Sequence, residues 1–247
     1  MKTFRTMLKS ELRLSLRGMD MLIFSIFMPI VVLILLGIIY GNKPAFDGAS
    51  YTFLEQSFGA IATIAICAGG VMGLPLVVSD YRSKKILKRF KVTPVKPVMI
   101  LIVQVAIYTI YALVSLVTLF VLATVFFQFK LRGNILQFIG GWLLVLISMF
   151  SIGMMVGGIA KNSKIAGIIA SLLYFPMLIF SGATLPYEVM PDTMQKIVQV
   201  LPLTQGIKIL KAATLNIPID NVLISIILLL LLTIICFGIA LRFFRWE

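Results

Sequence analysis

Long uninterrupted runs of apolar residues are the feature that most limits how this chain can fold. A helix needs about 20 apolar residues to cross the hydrocarbon core of a bilayer. Six runs in the sequence reach or approach that length: 21–40, 57–79, 98–127, 135–160, 165–182 and 222–241. The pattern predicts an all-α polytopic membrane protein with six transmembrane helices, in which residues 1–247 form a single transmembrane domain.

The composition agrees with this fold class and excludes several kinds of chemistry. Only 13% of the 247 residues are charged, whereas a soluble domain carries about 25%. The chain has no histidine, which removes most zinc sites and His-based acid–base catalysis. Cys67 and Cys236 lie inside apolar runs, where we expect them to be small buried hydrophobes. The six runs contain no ionisable side chain other than these thiols and tyrosines, so an intramembrane proton relay is not expected.

The distribution of basic residues predicts the orientation in the membrane. The net charge is +13, and most Lys and Arg residues fall on one side if both termini are cytoplasmic. This positive-inside bias accounts for the charge without nucleic acid as a partner, and no aromatic-interleaved basic platform is present.

Residues 1–18 have the pattern of an amphipathic helix. Cations recur every four residues, and so do apolar residues one position earlier, at Arg5, Lys9, Arg13 and Arg17, and at Phe4, Leu8, Leu12 and Leu16. The two stripes run side by side along a helix, so the apolar one can enter the headgroup boundary while the cations face anionic lipid. We interpret the segment as an interfacial elbow helix that leans on a cytoplasmic partner, or as a plain membrane anchor.

The segment 80–97 gathers seven basic residues between two apolar runs. On a helix over 82–91, Ile86, Leu87 and Phe90 share a narrow arc and the cations occupy the rest, before Thr93-Pro94 ends it. Positive-inside bias alone does not require this sorting. The apolar edge therefore predicts a groove to receive it, in a partner or in the membrane.

The segment 183–220 contains four prolines that divide it into pieces too short to cross a bilayer. We expect short amphipathic helices at 190–200 and 204–214, which lie at the outer interface or return into the protein as a re-entrant segment. An ordinary extracytoplasmic loop is the alternative. Pairs of small residues at spacing four, Gly37/Gly41, Gly69/Gly73 and Gly153/Gly157, permit close helix contact within one subunit or between two.

Together these features resemble the type-2 ABC exporter permeases, the membrane subunits of bacterial exporters. The resemblance covers essentially the whole chain and rests on the amphipathic helix, the six spans and two segments. These are DYRSKKILKRFKVTPV after the second span and FSGATLPYEVMPDTMQKIVQVLPLTQGIKILK between the fifth and sixth. Many relatives have an acidic residue and a Gly-Thr pair in the first segment. Here Lys85-Ile86 occupies the Gly-Thr position, and Asp80 is the nearest acid.

The resemblance implies a partnership in the bacterial plasma membrane. Two permeases, identical or homologous, would bind two copies of a cytoplasmic ATPase that holds ATP and magnesium, because this chain has no P-loop. The chain itself would bind no cofactor and would be a transport subunit, not an enzyme. The implied ATPase-coupling residues are Arg82, Lys85, Ile86, Leu87, Lys88, Arg89, Phe90 and Thr93.

The resemblance also implies a substrate path between the two permeases. Its predicted lining residues are Tyr174, Phe175, Met177 and Phe180, for which core packing or lipid contact is the alternative. The cargo is expected to be hydrophobic or amphipathic, such as a drug, an antibiotic or a lipid-like molecule. Two other functions remain open: a non-transport membrane scaffold whose basic loop binds lipid, and an ion-coupled carrier.

Overall fold

The computed structural model of the chain describes residues 2–41, 43–86, 97–182, 191–217 and 222–243. These residues are almost entirely helical and contain no strand, apart from one isolated bridge between Pro44 and Thr52. Helix α2 has three parts: Asp20–Leu22, a π-helical turn at Ile23–Phe27, and Met28–Tyr40. The other helices are α1 Lys2–Arg17, α3 Phe53–Ser83, α4 Pro97–Phe127, α5 Ile135–Ile159, α6 Ser163–Phe180, α7 Asp192–Val198, α8 Pro202–Leu215 and α9 Val222–Phe243.

Six of the described helices, α2, α3, α4, α5, α6 and α9, are long and apolar enough to cross a membrane. This confirms the predicted fold class of an all-α polytopic membrane protein with six spans. The bounds differ most at α3, which begins four residues before the apolar run 57–79 and ends four residues after it. Charge marks the limit of the apolar run but not of the helix, so Glu55, Asp80 and Arg82 are all helical.

The start of α3 is set by a capping box. The Thr52 hydroxyl accepts a hydrogen bond from the Glu55 N–H, and the Glu55 carboxylate accepts one from the Thr52 N–H. Each bond satisfies a backbone donor that has no partner inside the helix. The helix therefore begins at Phe53, before hydropathy rises.

Helix α3 lies at the centre of the bundle, where α2, α4, α5, α6 and α8 pack around it. Small residues on α3 and α5 allow the two backbones to meet, because a Cβ on Gly153 would lie only 1.8 Å from the Gly70 carbonyl oxygen. Gly69 and Gly73 receive the ring of Tyr108 in the same way. These small-residue contacts join helices of one subunit.

Two π-helical turns precede prolines in spanning helices. Met28 N–H bonds to the Ile23 carbonyl just before Pro29, and Leu74 N–H bonds to the Gly69 carbonyl just before Pro75. A proline lacks an N–H, and its ring clashes with the carbonyl four residues earlier. The π turn just before each proline has hydrogen bonds that span five residues, which changes the helix geometry at that position. The backbone thus accommodates each proline without ending the helix.

The described part of the segment between α6 and α9, residues 191–217, contains two helices, α7 and α8, close to the two that the prolines predict. Most side chains of α8 are buried, because it packs against α3, α5 and α9. Gly59 on α3 admits the Cβ of Leu210, and Gly141 on α5 admits Ile209. The chain therefore returns into its own bundle at α8. The position of α8 relative to a bilayer stays a prediction.

Candidate functional site

The candidate site is the end of the bundle where α3 runs into the basic loop. Of the predicted coupling residues, Arg82, Lys85 and Ile86 are described, and Leu87, Lys88, Arg89, Phe90 and Thr93 lie outside the described residues. The helix predicted over 82–91 is wrong as one continuous helix, because Lys84 and Lys85 form a turn after Ser83. Beyond position 86 a helix stays a prediction. Helix α3 ends at Ser83, so the first part of that segment belongs to the spanning helix itself.

Arg82 and Lys85 have different settings at this end. Arg82 donates from Nη1 to the Gly158 carbonyl at 2.8 Å, which ties the end of α3 to the end of α5. Lys85 is exposed and has φ of 56°, in the left-handed region that glycine adopts most easily. It closes α3 by donating its N–H to the Arg82 carbonyl at 2.9 Å.

Helix α1 is attached to this end by a polar cluster around Glu11. The Glu11 carboxylate accepts hydrogen bonds from the Tyr81 hydroxyl on α3 and from Gln104 Nε2 on α4, the latter at 2.9 Å. The Tyr111 hydroxyl on α4 donates to Ser15 Oγ at 2.8 Å. Gln104 is buried within an apolar helix, where an amide needs a partner. Helix α1 is therefore held against both spans that flank the basic loop.

The orientation of α1 follows from this docking. Three of the predicted apolar stripe residues, Phe4, Leu8 and Leu12, pack against the chain's own core, whereas Leu16 is exposed. The stripe thus faces α4 more than the headgroup boundary. The four predicted elbow cations, Arg5, Lys9, Arg13 and Arg17, are all exposed. They remain accessible to lipid or to a partner.

A cavity of about 470 Å³ lies beside the Glu11 cluster. It opens between α1, α3, α4 and the start of α6, and its wall includes Glu11, Asp80, Gln104 and Ser163. The Asp80 carboxylate pairs with Lys84 at 2.8 Å, an exposed contact that contributes little to stability. In the part of the chain that the structure describes, no group of His, Cys, Asp or Glu side chains could hold a metal ion.

The predicted substrate-path residues do not share one surface. Tyr174 and Met177 are buried inside the chain, Phe180 is half-buried and Phe175 is 50% exposed. The rings of Tyr174 and Phe175 meet edge to face with centroids 5.4 Å apart. Tyr174 and Met177 therefore pack within this subunit in the arrangement described, and Phe175 belongs to the exposed face of α6. The assignment of a substrate path stays a prediction.

Reasoning from the sequence missed Glu11, Tyr81 and Gln104. A single carboxylate among the cations of α1 and a lone amide in the run 98–127 were the available signals. Neither pattern says which residues meet, because the contact joins positions that lie 70 to 93 residues apart.

The fold and this end of the bundle define a class: a membrane protein of six spanning helices, with an amphipathic N-terminal helix docked beside a basic loop. The profile of a family described as "ABC-2 type transporter" matches residues 2–215. The chain belongs to this family.

Several curated proteins are similar to parts of the chain. Nodulation protein J of Neorhizobium galegae is 26% identical over 99 residues, which are 40% of this chain and 38% of that protein. Inner membrane transport permease YhhJ of Escherichia coli (strain K12) is 32% identical over 82 residues, 33% of this chain and 22% of that protein. Nodulation protein J of Rhizobium leguminosarum bv. viciae is 29% identical over 99 residues, with 40% and 38% covered. The matched stretches thus span well under half of each relative.

Proposed function

We propose that this chain is the permease subunit of an ATP-driven ABC exporter in the bacterial plasma membrane, with both termini cytoplasmic. It would form the substrate path together with a second permease, identical or homologous, and would be driven by two copies of a separate ATPase that binds ATP and magnesium. The observation that carries the proposal is the family match across residues 2–215. The name of the E. coli relative, an inner membrane transport permease, supports the same location.

The central position of α3 supports the coupling role of segment 80–97. At 1.5 Å per residue, the 31 residues of Phe53–Ser83 measure about 46 Å in a helix. This one helix starts at the far end of the bundle and leads directly into the basic loop. Since α3 packs against α2, α4, α5, α6 and α8, a displacement applied at the loop reaches most of the bundle without an intermediate.

The contacts at the end of α3 explain which helices would move with it. Arg82 joins α3 to α5 through the Gly158 carbonyl, and Tyr81 joins α3 to α1 through Glu11. An ATPase that seats the predicted coupling helix would therefore act on α1, α3 and α5 together. The exposed cations of α1 would lie beside the same partner.

The proposed cargo is a hydrophobic or amphipathic compound, such as a drug, an antibiotic or a lipid-like molecule. The support is compositional, because the six apolar runs contain no charged side chain. Antibiotic resistance is one role compatible with such a cargo. Membrane lipid is the only other partner that we propose, and nucleic acid is not among them.

The coupling role is tested by a double variant, Leu87→Ala with Phe90→Ala. The variant chain is co-expressed with the ATPase whose gene lies nearest to its own. Anchors buried in a groove are worth about 2 kcal/mol or more each, so we expect the ATPase to dissociate during purification and export to stop. Membrane insertion should be unchanged. The matched control, Phe46→Ala with Leu136→Ala, removes two large exposed side chains near the opposite end of α3 and should keep both partner and export.

Three results would contradict the proposal in different ways. Normal export with a full complement of ATPase in the double variant would show that the coupling residues are wrong. Loss of binding on removal of Lys88 and Arg89 but not of Phe90 would favour a scaffold whose loop binds anionic lipid. Transport by the purified chain alone, under an ion gradient and without nucleotide, would favour an ion-coupled carrier.

A further inference from the structure

A second cavity, of about 530 Å³, lies between α7, α8 and α9. It is remote from the Glu11 cluster. The Thr214 carbonyl on α8 accepts hydrogen bonds from the N–H groups of Arg132 and Gly133, and Arg132 also pairs with Glu55 at the start of α3. Helix α8 therefore belongs to the end of the bundle opposite the basic loop.

One part of the cavity wall is cationic. Lys196 on α7 and Lys208 on α8 line it, and no carboxylate is among the described lining residues. Lys208 is partly buried, and this burial lowers the pKa of its ammonium group. A cation that is partly removed from water gains more from a bound anion than a fully solvated one does.

The Gln205 side chain, a polar part of the cavity wall between the two lysines, is already engaged. The Gln205 side chain accepts a hydrogen bond from Ser225 Oγ at 2.6 Å, and its amide nitrogen donates to the Gln199 carbonyl. These bonds fix α8 against the first turn of α9 and leave the lysines as the charged groups that a ligand would meet.

The other part of the wall is an apolar track on α9. Ile224, Leu228 and Leu232 line the cavity at intervals of four residues, which places them along one side of the helix over about 12 Å. Ile224 and Leu228 are 53% and 47% exposed. Since α9 is long and apolar enough to cross a membrane, we infer that this exposed track, which begins beside Ser225, would face hydrocarbon and open the cavity to lipid.

We propose that this cavity binds one anionic membrane lipid, with its headgroup phosphate at Lys196 and Lys208 and an acyl chain along Ile224, Leu228 and Leu232. A free anion would leave the apolar track unused, and a lipid without net charge would leave the two cations uncompensated. The combination of both surfaces in one cavity selects an anionic amphiphile, and the opening toward the hydrocarbon selects the membrane as its source. The site belongs to this chain whatever compound the assembled protein moves.

The test uses the full chain purified in detergent and supplied with phosphatidylglycerol or phosphatidylcholine of identical acyl chains, with bound lipid counted by native mass spectrometry. We expect preferential retention of phosphatidylglycerol by the wild type. Each lysine near an anionic headgroup contributes about a fivefold change in affinity, so Lys196→Gln with Lys208→Gln should lose about 25-fold. Lys196→Arg with Lys208→Arg should retain the preference.

Two further variants distinguish binding at this cavity from a nonspecific attraction of anionic lipid to the net positive charge. Lys130→Gln removes an exposed lysine from the same end of the bundle and should leave retention unchanged. Leu228→Gln interrupts the apolar track and should reduce retention of phosphatidylglycerol although both lysines remain.

Specific outcomes would overturn the proposal. Equal retention of both lipids by the wild type would overturn it. So would a loss of phosphatidylglycerol affinity in Lys130→Gln as large as that in the double glutamine variant. Displacement of the lipid by inorganic phosphate alone, at equal concentration, would identify a free-anion site instead. If the double glutamine variant does not fold, the single variant Lys196→Gln, at an exposed position, gives the same comparison with a fivefold expected loss.

Discussion

The two ends of α3 are each organised around one glutamate, but in different ways. At the start of the helix Glu55 is 3% exposed and its Oε2 accepts from Arg132 Nε at 3.0 Å and from the Thr52 N–H at 2.8 Å. The connection between α4 and α5 is joined to α8 at the same place by the hydrogen bonds to Thr214. An ion pair between a buried carboxylate and an exposed guanidinium thus joins three parts of the chain.

At the other end of α3, Glu11 is half-buried and its described partners, Tyr81 and Gln104, are uncharged. A hydrogen bond to a carboxylate contributes about 1.5–3 kcal/mol net, and Glu11 returns to water when α1 separates. Removing the cation beside a buried carboxylate costs up to about 3–5 kcal/mol, because that carboxylate stays buried. The contacts of α1 can therefore separate at lower cost than those around Glu55. The difference teaches that the end with the basic loop is the more easily rearranged, which suits the end on which we propose the ATPase to act.

The largest expected effect is a loss of stability caused by overpacking at the end of the bundle that contains Glu55. In Gly133→Ala the new Cβ would lie 1.9 Å from the Ala213 carbonyl oxygen, a backbone atom that no rotamer change can move. We expect a loss of about 3 kcal/mol in the free energy of unfolding, measured by titration with a denaturing detergent. Gly140→Ala is the control, because nothing lies within 4 Å of its Cβ. Similar stability of the two variants would show that this close contact is not present.

The second effect removes one partner of the ion pair. Arg132→Met leaves the Glu55 carboxylate buried without its cation, and since the Arg132 side chain is 39% exposed we expect a loss of about 2–3 kcal/mol. The same unfolding titration measures it, with Lys130→Met as a neighbouring exposed control. A change below about 0.5 kcal/mol, the size typical of an exposed pair, would remove the contrast between the two ends.

The third effect concerns the Glu11 end and should be local. In Glu11→Ala the hydrogen bonds to Tyr81 and Gln104 are lost, and we expect amide exchange throughout α1 to rise about tenfold with little change in global stability. Hydrogen exchange followed by mass spectrometry measures this, and Lys9→Ala, an exposed position on the same helix, is the control. Unchanged protection of α1, or a global loss as large as that of Arg132→Met, would refute the comparison.

The smallest effect tests the left-handed residue that closes α3. The left-handed conformation costs a non-glycine residue about 1 kcal/mol or more. Glycine does not have this strain, but it gives the unfolded chain more conformational freedom, which offsets part of the gain. We therefore expect Lys85→Gly to slow amide exchange in the last turn of α3, corresponding to about 0.5 kcal/mol. Lys84→Gly, at φ of −79°, should speed it instead. Faster exchange in both variants would show that position 85 is not left-handed.

Much of the fold could be predicted from the sequence, since apolar runs of sufficient length are required of any helix in lipid. The central place of α3 could not. Hydropathy ranks the six runs by their preference for hydrocarbon, and a helix enclosed by other helices needs no more apolar character than one that faces lipid. The better signal is the abundance of Gly, Ala and Ser in 57–73, which permits close packing but does not identify the neighbours.

The candidate site was predictable only in part. The facial sorting of cations and apolar residues indicated the elbow helix and the basic loop, because that pattern is local and has a helical period. Glu11, Gln104 and Tyr81 carry no such period, and the contact among them arises from the packing of α1 on α3 and α4. The buried position of Glu55 could not be predicted for the same reason. In the sequence Glu55 lies just outside an apolar run, where a loop is the simplest interpretation.

By itself the sequence determined the number of spans, their order and the positions where charge collects, because each depends on the cost of placing a given side chain in hydrocarbon. The tertiary structure alone decided which span is central, which carboxylate is paired with a cation and which is held by neutral donors. Those outcomes depend on backbones meeting at Gly70 and Gly153 and at Gly133 and Ala213. Contacts between residues this far apart in the chain exist only once the helices have packed.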